Sequence, residues 1–144
     1  MSPVHSKTPR TVRLRPVRRL KDAQVFIQSR TRDTHQFTCS PATVLKRLTA
    51  PGVLAFIVDD GAGRSLGTCS ITETEPSIGV AGIALLPEFR QQGYGTAVLR
   101  QLERKAAGKG FIALRADIFD DNAKAMALFE KSGYRKYSLF EKPL

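Results

Sequence analysis

The chain has 144 residues, 42% of them hydrophobic and 25% charged, and a net charge of +10. This length and composition are typical of one folded domain with its own core, and they exclude fibrous and fully disordered classes. No run approaches the roughly 18 apolar residues that a membrane-spanning helix needs, so no membrane association is expected. The two cysteines, Cys39 and Cys69, have no metal-ligand spacing. They predict reduced thiols, no metal cofactor and a cytoplasmic location.

The positive charge is concentrated at the start of the chain. Residues 1–32 hold nine basic residues and one acidic residue, a net charge of +8, whereas the remaining 112 residues carry +2. Such an asymmetry favours an anionic partner (nucleic acid, an acidic peptide or the phosphates of a cofactor), and it is equally typical of a solvated basic face. Residues 1–10 are rich in proline, serine and basic side chains, which predicts a disordered basic tail before a single domain over 11–144.

The hydrophobic periodicity predicts alternating helices and strands. In chain order these are a strand over 12–16, helices over 20–29 and 41–48, strands over 53–58, 65–73 and 78–86, a helix over 95–107, a strand over 111–119, a helix from the Asp121-Asn122 cap to Gly133, and a last strand over 134–139. The three central strands, joined by short turns, indicate an antiparallel meander. The whole pattern predicts an α/β fold with a mixed sheet and helices on its faces, and it excludes a doubly wound arrangement.

A glycine-rich loop lies between a buried strand and a strongly amphipathic helix. Its sequence over 90–95 is Arg-Gln-Gln-Gly-Tyr-Gly. Backbone amides at a helix N-terminus, together with the positive end of the helix dipole, suit a pyrophosphate group. Gly93 and Gly95 would remove Cβ atoms where phosphates approach the backbone. No Gly-Lys-Ser/Thr follows, so the loop is not a Walker loop.

The loop and its surroundings resemble a known family. Residues 85–95 are similar to the acetyl-CoA loop of the GCN5-related N-acetyltransferase (GNAT) family, and residues 122–134 are similar to its second signature. Both motifs occur in the family's order and on the expected elements, and the agreement in element order extends over residues 12–142. The resemblance implies a GNAT fold, with a mixed central sheet of about six to seven strands flanked by about four helices.

The resemblance also implies an enzyme that moves an acetyl group from acetyl-CoA, its co-substrate, directly to an amine. Main-chain groups of Ile83 and Leu85 would bind the pantetheine arm, and Arg90 would begin the loop. Asn122 would meet the cofactor, although a plain helix N-cap also explains it, and Phe129 would lie near the thioester. The amides that hold the pyrophosphate would belong to Gln91, Gln92, Gly93, Tyr94, Gly95 and Thr96.

The proton-transfer groups are less clear in the sequence. Glu73 and Glu75, at the end of a predicted strand, are the candidates for the catalytic base, with solvated strand-end acids as the alternative. Phe129 stands where many relatives have a tyrosine that protonates the departing thiolate, and phenylalanine donates no proton. Tyr134 and Tyr137 are the substitutes that the chain offers, and Tyr134 fits a core position better.

The acceptor is not encoded in any motif. The segment around 28–42 and the last strand would bind this acceptor, an amine of a small molecule or peptide. The basic residues favour an acceptor with negative charge. Two other functions stay open: a CoA-binding regulatory or interaction module with weak or no catalysis, and an acetyltransferase acting on charged tRNA, which would use the basic N-terminal arginines. The resemblance also leaves a homodimer open.

Overall fold

A computed structural model of the chain describes residues 10–30, 40–138 and 140–144. Its elements are β1 (Arg13–Pro16), α1 (Leu20–Arg30), α2 (Pro41–Leu48), β2 (Val53–Asp59), β3 (Ser65–Glu75), β4 (Ile78–Leu85), α3 (Tyr94–Gly108), β5 (Ala113–Arg115) and α4 (Ala123–Lys131). This confirms the predicted order of elements as far as α4. The expectation for residues 1–9 and most of the expected acceptor segment fall outside the described residues. No helix within them is long and apolar enough to cross a membrane.

The strands form a mixed sheet in the order β1-β2-β3-β4-β5, as the α/β prediction required. The first four pair antiparallel, and β5 pairs parallel with β4. That last pairing covers only Ile78–Val80 of β4. The second half of β4, residues 81–85, therefore has no strand neighbour on its β5 side within the described chain. The sheet is open beside the end of the strand that leads into the glycine-rich loop.

Helices cover both faces of the sheet because β2 and β4 carry apolar residues on both sides. On one face, α3 contributes Val98 and Leu102 to a core cluster that also holds Phe56 and Ile71 of the sheet. On the other face, α1 and α2 pack against β2 in a second cluster, whose buried members are Val17, Ala23, Phe26, Val44, Ala55 and Ile57. The two layers hold β4 and the start of α3 in fixed positions.

Asp22 organises the turn from β1 into α1. This side chain is 2% exposed and forms an ion pair with Arg15 at 3.0 Å. It also accepts hydrogen bonds from the backbone amides of Arg18 at 2.9 Å and Arg19 at 3.1 Å. Burial acts to raise the pKa of Asp22, but the bonds from Arg15, Arg18 and Arg19 together lower it below its ordinary value. One of the N-terminal arginines is thereby neutralised inside the fold.

The strands differ from the prediction in three details. The sheet has five strands over the described residues, not six or seven, and the strand expected over 111–119 shortens to Ala113–Arg115. No strand forms over 134–138, the described part of the expected last strand. Tyr134 is tied to helices instead: its amide donates to the carbonyl of Phe129 at 3.0 Å, and its hydroxyl donates to Glu103 of α3 at 2.8 Å. These bonds hold the residue after α4 against α4 and α3.

Candidate active site

The loop between β4 and α3 presents a row of backbone amides to solvent. Within the described residues, the amides from Gln91 to Thr96 donate to no protein acceptor. They lie at the N-terminus of α3, which is 15 residues long and whose N-cap, Gly93, provides no side chain. Gln91 has a φ of 61° and Gly93 a φ of 87°, both in the left-handed region. A strained non-glycine residue together with unpaired amides is typical of an anion-binding loop.

Three backbone carbonyls between the end of β4 and the loop accept hydrogen bonds from side chains. Arg90 donates from Nε to the carbonyl of Leu85 at 2.9 Å, and Gln92 donates from Nε2 to the carbonyl of Glu88 at 2.7 Å. Arg10 donates from Nε to the carbonyl of Gln92 at 2.9 Å. Sequence reasoning missed Arg10 because only the folded chain brings the segment before β1 to the loop. The hydrogen bond from Nε of Arg90 links the start of the loop to the end of β4.

The two loop glycines have different surroundings. A Cβ at Gly93 would meet nothing closer than Cγ of Arg10 at 3.6 Å, so its left-handed backbone is what favours glycine there. A Cβ at Gly95 would lie 3.2 Å from Cδ2 of Leu128 on α4. Gly95 therefore lets α4 approach the first turn of α3, a packing role that the sequence did not indicate. The side chain of Tyr94 is 7% exposed and belongs to the core, so only its backbone is available to a ligand.

The open edge of β4 runs into this loop. The amide of Leu86 donates toward β3, to the carbonyl of Leu66 at 2.9 Å. Because the hydrogen-bonding groups of successive strand residues point to opposite sides, the main-chain groups of Ile83 and Leu85 point away from β3. They face the side where β5 has ended. Arg90 already occupies the carbonyl of Leu85, so the amide of Leu85 and both main-chain groups of Ile83 are without a partner among residues 10–30, 40–138 and 140–144.

Helix α4 brings the second motif beside α3. Asn122 is the N-cap of α4 and accepts from the amide of Ala125 at 3.2 Å through Oδ1, which confirms the capping role. Its side-chain NH2 group has no acceptor within the described part of the chain. Phe129 is 8% exposed and packs edge-on against Tyr134, with ring centroids 5.0 Å apart. Burial, with a further contribution from Glu103, raises the pKa of Tyr134 above its ordinary value. Tyr134 is thus a poor proton donor for a site elsewhere.

The structure does not bring the two candidate bases to the loop. Glu73 lies opposite Gly79 at the start of β4, which places it about 20 Å along the strand from Leu85. Its Oε2 accepts from the amide of Ser77 at 3.1 Å. Glu75 is held in an exposed salt bridge with Arg115 at 2.8 Å. The two acids and the loop therefore lie at opposite ends of β4.

Two surface cavities lie on the α1 side of the molecule, away from the loop. One, of about 440 Å³, is lined by Arg15, Pro16, Arg18 and Arg19. The other, of about 510 Å³, is lined by Gln24, Ile27 and Gln28 of α1 and by Pro41 of α2. The second borders the segment around 28–42 that the sequence singled out for the acceptor. The first is basic, because Asp22 offsets only one of its three arginines.

The sequence and the fold of the chain are similar to those of known proteins. A model of the Acetyltransferase (GNAT) family matches residues 20–134. Among solved structures, the chain is similar to an acetyltransferase of Trypanosoma brucei (18% identity, TM-score 0.71, covering 92% of this chain and 99% of that one). It is similar to AAC(6')-Iy in complex with the bisubstrate analogue CoA-S-monomethyl-acetylneamine (17%, 0.72, 93% and 99%). It is also similar to the dodecameric spermidine N-acetyltransferase of Vibrio cholerae (15%, 0.75, 88% and 81%).

Proposed function

Because the chain belongs to the acetyltransferase (GNAT) family, we propose that it transfers an acetyl group from acetyl-CoA directly to an amine. One observation carries the proposal: six consecutive amides, from Gln91 to Thr96, find no acceptor among the described residues and lie at the N-terminus of α3. Two phosphates need several hydrogen-bond donors and a positive potential, and this loop supplies both. The residues present fit the pyrophosphate of CoA.

The rest of the donor fits along β4. A donor held at the loop would lay its amide-bearing arm on the open edge at Ile83 and Leu85. Apart from the carbonyl of Leu85, the outward main-chain groups of these two residues meet no partner in the part of the chain that the structure describes. Acetyl-CoA supplies a thioester, whose acyl carbon accepts the amine. An extended arm that begins at the loop runs toward the start of β4, where Glu73 lies. The separation of loop and acid is therefore compatible with one donor that lies along residues 81–85 of β4 and ends beside the pairing with β5, near the position opposite Glu73.

The amine must lose a proton before or during transfer. For a lysine-like amine with a pKa of about 10.4, deprotonation at pH 7 costs roughly 4–5 kcal/mol. We assign the base to Glu73, acting directly or through one water, because Glu73 accepts from the neutral amide of Ser77, whereas Glu75 is paired with the charged guanidinium of Arg115. Phe129 provides no acid and the hydroxyl of Tyr134 is committed to Glu103. The thiolate then leaves unaided, which a thiol pKa near 8.5 permits at a reduced rate.

The acceptor is an amine that carries negative charge. AAC(6')-Iy and the spermidine enzyme are similar in fold, but a net charge of +10 disfavours a polycationic acceptor here. The cavity at Arg15, Arg18 and Arg19 and its neighbour on α1 and α2 lie on one side of the sheet. Guanidinium groups there would attract a carboxylate or phosphate on the acceptor.

A second candidate is a CoA-binding module with weak or no catalysis. Phe129 favours it, because neither this side chain nor Tyr134 can deliver a proton to the leaving thiolate. The tRNA-directed alternative has less support. It would use Arg13, Arg15, Arg18 and Arg19, and two of these four arginines, Arg13 and Arg15, are paired with Asp59 and Asp22.

The test is a two-step measurement on the full chain. Binding of CoA is measured first by calorimetry, and release of free thiol from acetyl-CoA is then followed against amines with and without a carboxylate or phosphate. We expect micromolar binding and thiol release that depends on an anionic amine. Glu73→Gln should lower kcat at least tenfold with the affinity for CoA unchanged, and Glu75→Gln is the matched control. Binding without thiol release for any amine would favour the regulatory module, and no binding would refute both.

A further inference from the structure

Arg10, which precedes β1, lies on the glycine-rich loop over residues 90–95, called the phosphate loop below. Strands β1 and β4 are nevertheless separated by two other strands of the sheet. Its Nε donates to the carbonyl of Gln92 at 2.9 Å. Its guanidinium carbon lies 5.0 Å from the centroid of the Tyr94 ring, and its Cγ is the atom nearest to a Cβ built at Gly93. Three consecutive loop residues therefore contact this single side chain from the segment before β1.

The position of Arg10 determines the direction of a neighbouring amide. A trans peptide is planar, so the carbonyl of Gln92 and the amide of Gly93 point in opposite directions. Because the carbonyl of Gln92 points at Arg10, the amide of Gly93 points away from Arg10, and it is one of the six loop amides with no acceptor among the described residues. The contact with Tyr94 fixes the guanidinium, since Tyr94 is the first residue of α3 and its side chain belongs to the buried core cluster.

We propose that Arg10 is a positioning residue for the donor: it holds the phosphate loop in its anion-binding conformation and so couples the basic N-terminal segment to donor affinity. This inference rests on the proposed function and extends it, because the cofactor site then includes a residue outside the loop and helix that form its two motifs. Arg10 acts through the Gln92–Gly93 peptide. It contributes to the pyrophosphate subsite, not to recognition of the 3'-phosphate.

Arginine suits this position better than lysine. A planar guanidinium can lie on the Tyr94 ring and still direct Nε at the carbonyl of Gln92, whereas an ammonium group makes one of these contacts at a time. Arg10→Lys should therefore keep the charge but hold the loop less well. Arg104, exposed on α3, provides the matched control, because Arg104→Ala removes the same charge without touching the loop.

The experiment compares the wild-type chain, Arg10→Ala, Arg10→Lys and Arg104→Ala for binding of CoA and of 3'-dephospho-CoA by calorimetry, with thiol-release kinetics beside them. For Arg10→Ala we expect Kd to rise about tenfold for both ligands, the KM for acetyl-CoA to rise alike and kcat to stay within twofold. Arg10→Lys should weaken binding about threefold. Arg104→Ala and the unliganded melting temperatures of all variants should match the wild type.

Each other outcome has a definite meaning. If Arg10→Ala binds like Arg104→Ala, Arg10 does not position the loop and the inference is wrong. If the loss is seen with CoA but not with dephospho-CoA, Arg10 contacts the 3'-phosphate directly, which also overturns a positioning role. If kcat falls while KM is unchanged, Arg10 acts on the chemistry. If the wild-type chain binds no CoA, the proposed function itself fails, a result distinct from the other three.

Discussion

Replacing each loop glycine by alanine separates the two roles that the structure gives them. Gly93 has a φ of 87° at the N-cap of α3. Alanine in the left-handed region costs about 1–2 kcal/mol. No atom blocks its Cβ, since the nearest neighbour is 3.6 Å away. The chain relieves this strain by rotating the exposed loop, which turns the amides away from a common point. Affinity for CoA should therefore fall about 5- to 30-fold.

Gly95→Ala should act on packing instead. Residue 95 has a helical backbone in the first turn of α3, where alanine is favoured over glycine by up to about 1 kcal/mol. Against that gain, its Cβ would lie 3.2 Å from Cδ2 of Leu128, the end of a flexible side chain that must shift by a few tenths of an ångström. We expect the free energy of unfolding to change by less than about 1 kcal/mol and the Kd for CoA by less than about threefold.

Calorimetric titration of CoA and urea unfolding measure the two effects separately. The double variant Gly95→Ala/Leu128→Ala should show a coupling energy in unfolding, because the shortened side chain leaves space for the new methyl group. The assignment of roles would be refuted if Gly95→Ala weakened CoA binding as much as Gly93→Ala does. It would equally be refuted if Gly93→Ala bound CoA like the wild type.

Three further perturbations test other parts of the structure. Asp22→Asn removes a buried carboxylate that accepts from Arg15 and two amides, and it should destabilise the chain by about 2–3 kcal/mol at pH 7. Because the folded-state pKa of Asp22 is lowered, this contribution to stability is present above the unfolded pKa near 3.9 and is lost as the pH falls below it. Urea unfolding at pH 7 and pH 3 measures the free energy of unfolding of wild type and variant. An equal difference between the two proteins at both pH values would contradict this assignment. Phe129→Tyr should raise kcat about tenfold or more by supplying an acid, and thiol-release kinetics with no increase would show that the leaving thiolate needs none. Tyr134→Phe should lose about 1 kcal/mol of stability with kcat within twofold, and a tenfold fall in kcat would mean that its hydroxyl does serve the chemistry.

The elements with strong local signals could be predicted from the sequence. Ser40-Pro41 predicted α2, and the helix runs over Pro41–Leu48 with Ser40 accepting from the amide of Thr43 at 3.3 Å. The apolar spacing after the glycine-rich loop predicted α3 to within one residue at each end. These signals are local, since a cap or an amphipathic face needs only its own residues to be recognised.

The features that the sequence did not provide depend on distant contacts. A strand at the C-terminus would need a partner edge, and Tyr134 is bonded to Phe129 and Glu103 instead. The packing role of Gly95 depends on its contact with Leu128 of α4. The position of Arg10 depends on how the segment before β1 passes the loop. Nothing in the local pattern distinguishes Arg10 from the other basic residues around it. In the same way, the loop motif identifies Gln91 to Thr96 but not the left-handed φ of 61° at Gln91.

The most direct test of the central claim is to observe the loop amides while the donor binds. Backbone amide resonances of the isotope-labelled chain can be followed by nuclear magnetic resonance as CoA is added. The largest shifts are expected for Gln91 to Thr96, with further shifts at the amides of Ile83 and Leu85 on the open edge of β4. Saturable binding that left Gln91 to Thr96 unshifted, or no binding at millimolar CoA, would contradict the claim that this loop holds the pyrophosphate of the acetyl donor.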